Sequence, residues 1–171
     1  MKMGLIPLII TSVLSLAPLS GSASESAPKK PVHTCKKTDT SVDALACNIY
    51  KEARGETISG QMAIGFVTLN RLKNDKFPPT VGKIVYQKSQ FTWTGYGTGY
   101  KIRDEDSWKV AKDISKFLYS IRNNDNLYAR LDPTYGATFF HTKGSQPYWR
   151  TSFKKTVIIG DHVFYKFKEA P

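Results

Sequence analysis

The chain has 171 residues, which is enough for one domain with a real hydrophobic core. Its formal net charge of +11 suits an anionic partner such as nucleic acid, an anionic membrane or a bacterial wall polymer, or simply a soluble basic surface. Aromatic residues make up 12% of the sequence, which suits stacking on flat partners such as sugars or bases, or a small aromatic core.

The N-terminus has the layout of a secretory signal peptide. One early positive charge, Lys2, precedes an apolar run to Leu19, and small residues follow. Gly21 and Ala23 predict cleavage after Ala23, so residues 1–23 form the predicted signal. An uncleaved anchor that is later released is the alternative, although the run is short for a membrane span. Either way, we expect an exported domain that works in the periplasm or the extracellular space.

A segment rich in Ser, Pro and Lys at residues 24–38 predicts a linker before a globular domain at residues 39–171. The only cysteines are Cys35 and Cys47. In an oxidising compartment they fit a disulfide between the start of the domain and the first helix, with two free thiols as the alternative. No further His or Cys has zinc-ligand spacing, so the sequence predicts no metal.

The first predicted helix begins at a capping box, Thr40-x-x-Asp43, and ends near Gly55. At roughly 100° per residue, Glu52 falls about 80° from Val42, at the edge of the apolar stripe rather than opposite it. Two more helices are predicted at residues 59–73 and 107–123. The apolar residues that define the three helices are Val42, Leu45, Ala46, Ile49 and Ala53; Met62, Phe66, Leu69 and Leu72; and Trp108, Ala111, Ile114, Phe117, Leu118 and Ile121.

The rest of the chain has no helical period. Residues 86–100 are rich in aromatics and glycine, which is typical of sugar-binding clefts but equally of a surface loop. The C-terminal third contains β-branched and aromatic runs, and Gly160-Asp161 between two of them predicts a tight hairpin turn. The predicted fold class is therefore α+β, with N-terminal helices and a small C-terminal antiparallel sheet in a single domain.

The acidic pair Glu52 and Glu56 is the main candidate for chemistry. Burial against apolar groups raises the pKa of a carboxyl, and glycoside cleavage needs an acid that is still protonated at working pH. Glu52 fits that role, whereas Glu56 is expected to be ionised, and either to pair with Arg54 or to cap the next helix. A solvated helix face is the alternative for both. No Ser-hydrolase elbow and no phosphate-binding loop is present.

Several motifs in order resemble the SleB-type cell-wall hydrolases, the spore-cortex-lytic enzymes and their relatives. The match extends over residues 42–166. Its motifs are N-x-x-x-E-A-R-G-E at residues 48–56, G-Q-x-A at 60–63, V-x-x-N-R at 67–71, F-P at 77–78, Q-F-x-W at 90–93, D-P-T-x-G-A-T-x-x-H at 132–141, P-x-W at 147–149 and I-G-x-H-x-F-Y at 159–165. Two positions depart from the family, because Phe139 stands where the family has a histidine and Cys47 stands where family members often have another residue.

The resemblance implies a lysozyme-like or transglycosylase-like peptidoglycan glycosidase with one essential glutamate, here Glu52, and no cofactor. That glutamate protonates the glycosidic oxygen between N-acetylmuramic acid (MurNAc) and N-acetylglucosamine (GlcNAc) and then acts as a base. If it deprotonates the muramic 6-hydroxyl, the enzyme is a lytic transglycosylase that leaves 1,6-anhydro ends, which is the route we favour. If it activates water, the enzyme is a hydrolase.

We expect Glu56 and Arg54 to support the site. The predicted substrate contacts, through aromatic stacking and hydrogen bonds to N-acetyl and hydroxyl groups, are Gln90, Phe91, Trp93, His141 and Trp149. Phe91 and Trp149 could instead be core residues, and His141 could bond within the sheet. A non-catalytic wall binder, which would keep the aromatics without needing an acid, is the second hypothesis.

We expect a monomer that binds peptidoglycan glycan strands and contacts the membrane only through the signal segment. Nucleic-acid binding is not expected, because the positive charge is scattered and the chain is exported. A lone exported catalytic domain suits host lysis by a phage endolysin that acts in the host periplasm, or bacterial wall remodelling.

Overall fold

The computed structural model describes residues 31–95 and 99–169, so the predicted signal segment lies outside the described residues. The helices are α1 Ser41–Ala53, α2 Ile58–Leu72, α3 Val81–Val85, α4 Glu105–Ile121 and α5 Asp125–Leu131. The strands are β1 His33–Cys35, β2 Tyr100–Ile102, β3 Phe139–Thr142, β4 Lys154–Ile159 and β5 His162–Lys166. Short 3₁₀ turns lie at Thr92–Gly95 and Tyr148–Ser152.

Side-chain caps set where the helices begin. The Thr40 hydroxyl accepts a hydrogen bond from the Asp43 amide at 3.1 Å, as the capping box predicts for α1. α4 begins two residues before the predicted start, because Asp104 accepts from the Ser107 amide at 3.0 Å and caps it. The short helices α3 and α5, of 5 and 7 residues, were not predicted, because neither carries a full amphipathic period.

α2 is buried on two faces, whereas the sequence predicts one. Phe66 and Leu69 pack into the larger core with α1 and α4. Ala63, Ile64 and Val67 form a second cluster, with Ala53, Ala137 and Phe164 beneath the C-terminal sheet. α2 is therefore the element that joins the helical part of the molecule to the sheet.

The C-terminal sheet confirms the predicted α+β class. It is antiparallel with the order β3-β5-β4, and β4 and β5 meet in a two-residue turn at Gly160-Asp161. Gly160 has φ +54°, in the left-handed region that this tight turn requires and that glycine adopts without strain. The predicted hairpin is therefore present, and it projects Asp161 and His162 toward the end of α1.

The N-terminal lead-in is more ordered than the sequence predicts. β1, which lies inside the predicted linker 24–38, pairs antiparallel with β2, so ordered structure begins before residue 39. Cys35 at the end of β1 is bonded to Cys47 of α1, with 5.9 Å between their Cα atoms. The predicted disulfide is thus confirmed, and closing a loop of this size stabilises the fold by roughly 2–3 kcal/mol.

Across the described residues, every helix is too short or too polar to traverse a lipid bilayer.

Candidate active site

Glu52 lies in the last turn of α1, half-buried at the edge of the apolar stripe, as its predicted helical position requires. Burial raises the pKa of its carboxyl above the ordinary value of 4.5. Lys51, Trp93 and Arg71 oppose that shift without cancelling it. Glu52 is therefore a carboxyl that retains its proton to higher pH than a solvated glutamate.

Trp93 is brought against Glu52 by the 3₁₀ turn at Thr92–Gly95. Its ring is 4% exposed and packs edge-on against Tyr86 at 5.7 Å between centroids. The indole Nε1 interacts with the Glu52 carboxyl and lowers its pKa, but it has no partner at regular hydrogen-bond distance and angle. A buried N–H without a partner carries a desolvation cost, which a new hydrogen bond would remove. Trp93 therefore has a donor available beside the candidate acid.

Arg71 is a site residue that sequence reasoning did not single out. It is 5% exposed, and burial lowers the pKa of its guanidinium to about 10, opposed by the nearby charge of Glu52. Its Nε donates to the Thr138 carbonyl at 2.7 Å, while the buried Nη1 has no partner. The signal available in the sequence was the Asn-Arg pair of the V-x-x-N-R motif, at the end of α2.

Aromatic rings surround the Arg71 guanidinium. The carbon at its centre is 5.4 Å, 5.6 Å and 5.9 Å from the ring centroids of Phe77, Phe91 and Phe139. Phe139, where the sequence resemblance leads us to expect a histidine, also packs on Phe153 with centroids 4.0 Å apart. At this position the chain therefore has a cation–π contact and aromatic packing instead of a titratable ring.

The residue before Arg71 fixes the loop at residues 132–138. The Asn70 amide donates to the Asp132 carboxylate at 2.9 Å and to the Ala137 carbonyl at 3.0 Å, and Tyr128 donates to Asn70 at 2.8 Å. Asp132 also accepts from the amides of Thr134 and Gly136. The D-P-T-x-G-A-T motif is therefore a structural loop that holds the Thr138 carbonyl against Arg71.

Glu56 neither pairs with Arg54 nor caps α2, so both expectations for its partner are wrong. Its Oε1 accepts the Asp161 amide at 3.0 Å, and Thr57 caps α2. The fit is close, because a Cβ on Gly60 or Gly160 would lie 2.8 Å or 1.8 Å from Glu56 atoms. The G-Q and I-G-x-H motifs thus leave room for this carboxylate, which joins the end of α1 to the β4–β5 turn.

His162 lies next to Glu56. Its Nδ1 is 3.3 Å from Glu56 Oε1, in an orientation that does not make a regular hydrogen bond. Burial lowers the pKa of the imidazole below 6.5, and the charges of Glu56 and Asp161 only partly oppose this. His162 is therefore held neutral near pH 7, with its ring edge-on to Phe140 at 5.4 Å.

Arg54 caps the end of α1 and lies against the Tyr50 ring. Its guanidinium carbon is 5.1 Å from the Tyr50 ring centroid. Burial raises the pKa of the Tyr100 phenol, but hydrogen bonds and charge from Lys51 and Arg54 outweigh it, so the pKa lies below its ordinary value. Arg54 therefore packs on Tyr50 and interacts with Tyr100, and it makes no ion pair with Glu56.

The predicted substrate-contact residues divide into two groups. Phe91 is 6% exposed and belongs to the buried core, the alternative that the sequence left open for it, and its ring centroid lies 5.6 Å from the Arg71 guanidinium carbon. Gln90 is exposed beside it, and no hydrogen bond engages its side-chain amide within the described part of the chain. These two residues and Trp93 lie in or next to the cleft.

His141 and Trp149 belong to an aromatic cluster on the sheet. Both imidazole nitrogens of His141 are engaged, Nδ1 with the Thr142 carbonyl at 2.8 Å and Nε2 with the Tyr165 hydroxyl at 3.0 Å. Trp149 packs edge-on against His141 at 5.7 Å and lies 6.0 Å from Phe139. In this state His141 therefore bonds within the sheet, the alternative that the sequence left open.

One group of side chains in the described ranges has metal-ligand geometry. The donor atoms of His33, Cys35, Asp39 and Cys47 lie within 4.8 Å of one another. Because the two sulfurs form the disulfide, they are not thiolates and do not serve as metal ligands. The cluster instead ties β1 to the start of α1.

The arrangement at Glu52 has the components of acid catalysis on a neutral glycoside. A carboxyl with a raised pKa can protonate a leaving oxygen, and a buried cation with a free N–H lies close enough to stabilise the carboxylate that remains. Among the described residues, the charges that shift the pKa of Glu52 are those of the cations Lys51 and Arg71.

Comparison with known proteins gives the same fold. The solved catalytic domain of the Bacillus cereus SleB protein superposes with a TM-score of 0.56 at 25% identity, covering 80% of this chain and 95% of that one. The catalytic domain of the germination-specific lytic transglycosylase SleB from Bacillus anthracis gives 0.57 at 26% identity, covering 80% and 99%. These matches confirm the predicted lysozyme-like α+β fold.

Sequence comparison finds curated relatives named spore cortex-lytic enzyme. The one from Halalkalibacterium halodurans is 30% identical over 128 residues, which is 74% of this chain and 35% of the relative. The one from Bacillus cereus is 30% identical over 129 residues, 73% of this chain and 44% of the relative. The chain therefore corresponds to less than half the length of either relative.

A family model described as Cell Wall Hydrolase matches residues 55–165. The match begins three residues after Glu52, so the assignment of the acid depends on the E-A-R-G-E motif and the geometry above. It includes Arg71, Phe91, Trp93 and the β4–β5 turn. The chain belongs to the cell wall hydrolase family.

Proposed function

We propose that this chain cleaves the glycan strands of peptidoglycan between MurNAc and GlcNAc, with Glu52 as the only catalytic carboxyl, and that it does so as a lytic transglycosylase. The observation that carries the proposal is the environment of Glu52, a half-buried carboxyl with a raised pKa that faces cations and aromatic rings. Membership of the cell wall hydrolase family supports the substrate class.

In the first step, Glu52 donates its proton to O4 of GlcNAc as the bond from that oxygen to C1 of MurNAc breaks. Positive charge develops at C1, and negative charge develops on Glu52. Arg71, whose Nη1 is unpartnered, stabilises the new carboxylate, and Trp93 Nε1 supplies a second donor beside it. Arg71 and Trp93 therefore interact more strongly with the carboxylate of Glu52 after proton transfer than with its carboxyl group before it.

In the second step, the Glu52 carboxylate takes the proton from the 6-hydroxyl of the same MurNAc, and O6 bonds to C1. The product is a 1,6-anhydro end, and Glu52 regains its proton. This route is favoured over double-displacement hydrolysis because a retaining glycosidase places a second carboxylate about 5–5.5 Å from the acid. Among the described residues, the charges that shift the pKa of Glu52 come from the cations Lys51 and Arg71, while Glu56 is bonded to the β4–β5 turn and Asp132 to the 132–138 loop.

Phe91 and Trp93, which are 6% and 4% exposed, would form the floor of the cleft and not an open stacking face, with the exposed amide of Gln90 available to the N-acetyl group. His141 and Trp149 would contact a more distant sugar, and His141 would have to exchange a bond within the sheet to do so. Glu56 and Arg54 would support the site without contacting the reacting atoms.

The substrate places the site of action outside the cytoplasmic membrane, in the periplasm or the extracellular space. This agrees with the signal segment predicted from residues 1–23. We propose a monomer that acts in host lysis or wall remodelling. Its net charge of +11 suits an anionic wall.

The test is digestion of purified sacculi by wild type and Glu52→Gln, followed by mass spectrometry of the released fragments. Wild type should clear the suspension and release fragments one water lighter than hydrolytic products, and Glu52→Gln should do neither. The matched control is Glu105→Gln, the same change at an exposed acid in the first turn of α4, which should digest normally.

Three results would overturn parts of the proposal. Unchanged lysis by a folded Glu52→Gln protein would remove Glu52 from the chemistry. Fragments with reducing ends would replace the transglycosylase with a hydrolase. Sedimentation of wild type with sacculi without any release of fragments would indicate the non-catalytic wall binder.

A further inference from the structure

A groove with a volume of about 870 Å³ adjoins Glu52 on the side of the disulfide. Phe91, Trp93 and Tyr100 line its wall, and the first two of these rings also surround the candidate acid and Arg71. Trp93 therefore lies between the groove and Glu52, and one side chain separates the two. Its volume is in the range of about 300–1,000 Å³ that holds drug-sized ligands or short peptides.

The groove is strongly basic. Lys36, Lys37 and Lys88 line it, all three are exposed, and its lining contains no aspartate or glutamate. Within residues 31–95 and 99–169, none of the three ammonium groups forms an ion pair. The positive charge is therefore available to an incoming anion.

The backbone that carries two of these lysines is fixed. Lys36 and Lys37 directly follow β1, which is bonded through Cys35 to α1. The Asp39 carboxylate accepts from the Lys36 amide at 2.9 Å and from the Tyr86 hydroxyl at 3.2 Å. Its side chain is 3% exposed, so this acid holds the turn from beneath and does not line the groove.

We propose that this groove binds the carboxylates of the stem peptide on the MurNAc unit next to the cleaved bond. The inference rests on the proposed glycosidase function and adds a substrate class to it, namely peptide-bearing glycan in preference to bare glycan. The peptide is attached to the lactyl group of the muramic sugar whose C1 reacts at Glu52. Because Trp93 lines the groove and also interacts with Glu52, a peptide on that sugar would be within reach of the groove, and the groove lysines complement its acidic groups.

The first experiment compares two substrates. Soluble glycan strands freed of wall phosphate polymers are offered with their stem peptides, or after the peptides have been removed by an N-acetylmuramoyl-L-alanine amidase. The variant replaces Lys36, Lys37 and Lys88 with Gln. The control variant replaces Lys109, Lys116 and Lys143 with Gln, so its net charge changes by the same amount. These three lysines are exposed and do not line the groove.

On peptide-bearing strands, the groove variant should raise KM about five- to thirtyfold at low salt, since each exposed charge contact contributes modestly and salt screens it. Its kcat should stay within about twofold of wild type. On peptide-free strands, groove variant and wild type should have the same KM, and the control variant should match wild type on both. Equal losses on both substrates, or an equal loss in the control variant, would overturn the proposal.

A binding measurement separates this inference from the function beneath it. Calorimetric titration of the Glu52→Gln protein with a disaccharide tetrapeptide, which this variant is expected to leave intact, should give an affinity that falls when the groove lysines are replaced. If binding depends on the lysines but wild type cleaves no glycan, the groove proposal stands and the proposed glycosidase function is wrong. If wild type cleaves glycan and neither binding nor cleavage depends on the lysines, the glycosidase function stands and the groove proposal is wrong. If poly(glycerol phosphate) inhibits strand cleavage by competition and the disaccharide tetrapeptide does not, the ligand of the groove is a phosphate polymer and the proposed stem-peptide ligand is wrong.

Discussion

Two glutamates, four residues apart in one motif, have opposite surroundings in this molecule. Glu52, still on α1, faces Trp93 and Arg71, and burial raises its pKa. Glu56, past the end of α1, accepts the Asp161 amide at 3.0 Å and lies 3.3 Å from His162. The first is a candidate for proton transfer, and the second holds the β4–β5 turn in place.

The difference arises from where the helix ends. α1 stops at Ala53, so Glu52 keeps its helical direction at the edge of the buried stripe, while the chain beyond the helix turns and Glu56 reaches the β4–β5 turn. An identical side chain therefore serves chemistry at one position and packing at the other. Substitutions that affect one function without the other can break or sharpen this distinction.

The largest expected effect is that of Glu52→Gln on turnover. Loss of general acid–base catalysis should lower kcat by about 10²–10⁴-fold. The same substitution should increase the free energy of unfolding at neutral pH. Since the folded pKa is raised, wild type loses stability as pH rises from about 4.5 through that pKa, and the variant lacks this loss. Initial rates on sacculi and thermal melts between pH 4 and 8 measure both, and equal rates would contradict the assignment.

Arg71→Met should lower kcat on the order of ten- to a hundredfold, because it removes the cation and donor beside Glu52. Without that cation the pKa of Glu52 should rise further, so the high-pH limb of the rate profile should move to higher pH. Arg71→Lys, which keeps the positive charge, should shift the high-pH limb of the rate profile less than Arg71→Met does. Comparing rate profiles of the folded variants distinguishes this role from a structural one, in which activity would fall without a shift of the limb.

Glu56→Gln should mainly change stability. The Asp161 amide would lose a charged acceptor, which costs about 1–3 kcal/mol of unfolding free energy. The kcat of the folded protein should stay within a few-fold of wild type. Urea unfolding beside the control Glu105→Gln measures the first quantity. A kcat loss as large as that of Glu52→Gln would place Glu56 in the chemistry and abolish the distinction.

The smallest expected effect is a pH dependence from His162. Its folded pKa is lowered by burial, so the unfolded chain binds more protons, and stability should fall as pH drops below about 6.5. His162→Gln should flatten this part of the stability curve without changing kcat. Urea midpoints at several pH values between 5 and 8 test it, and an unchanged slope in the variant would exclude His162 as the cause.

The long helices, the hairpin and the disulfide were predictable because each depends on local signals, such as a cap, an apolar period, a Gly-Asp pair or a lone pair of cysteines. The direction of Glu52 followed from helical geometry. The partner of Glu56 did not, because it is 105 residues away in the sequence and is a backbone amide. Arg71 was missed for a related reason, since three phenylalanines from distant segments and the Thr138 carbonyl define its environment.

The central claim is that Glu52 retains its proton to higher pH than an ordinary glutamate. Carbon-13 NMR of the glutamate carboxyl carbons tests it directly, because the chain has only five glutamates and Glu52→Gln identifies the resonance. We predict that this carbon titrates clearly above pH 4.5, and that the titration moves upward in Arg71→Met. Titration of the Glu52 carbon at or below 4.5 would contradict the account.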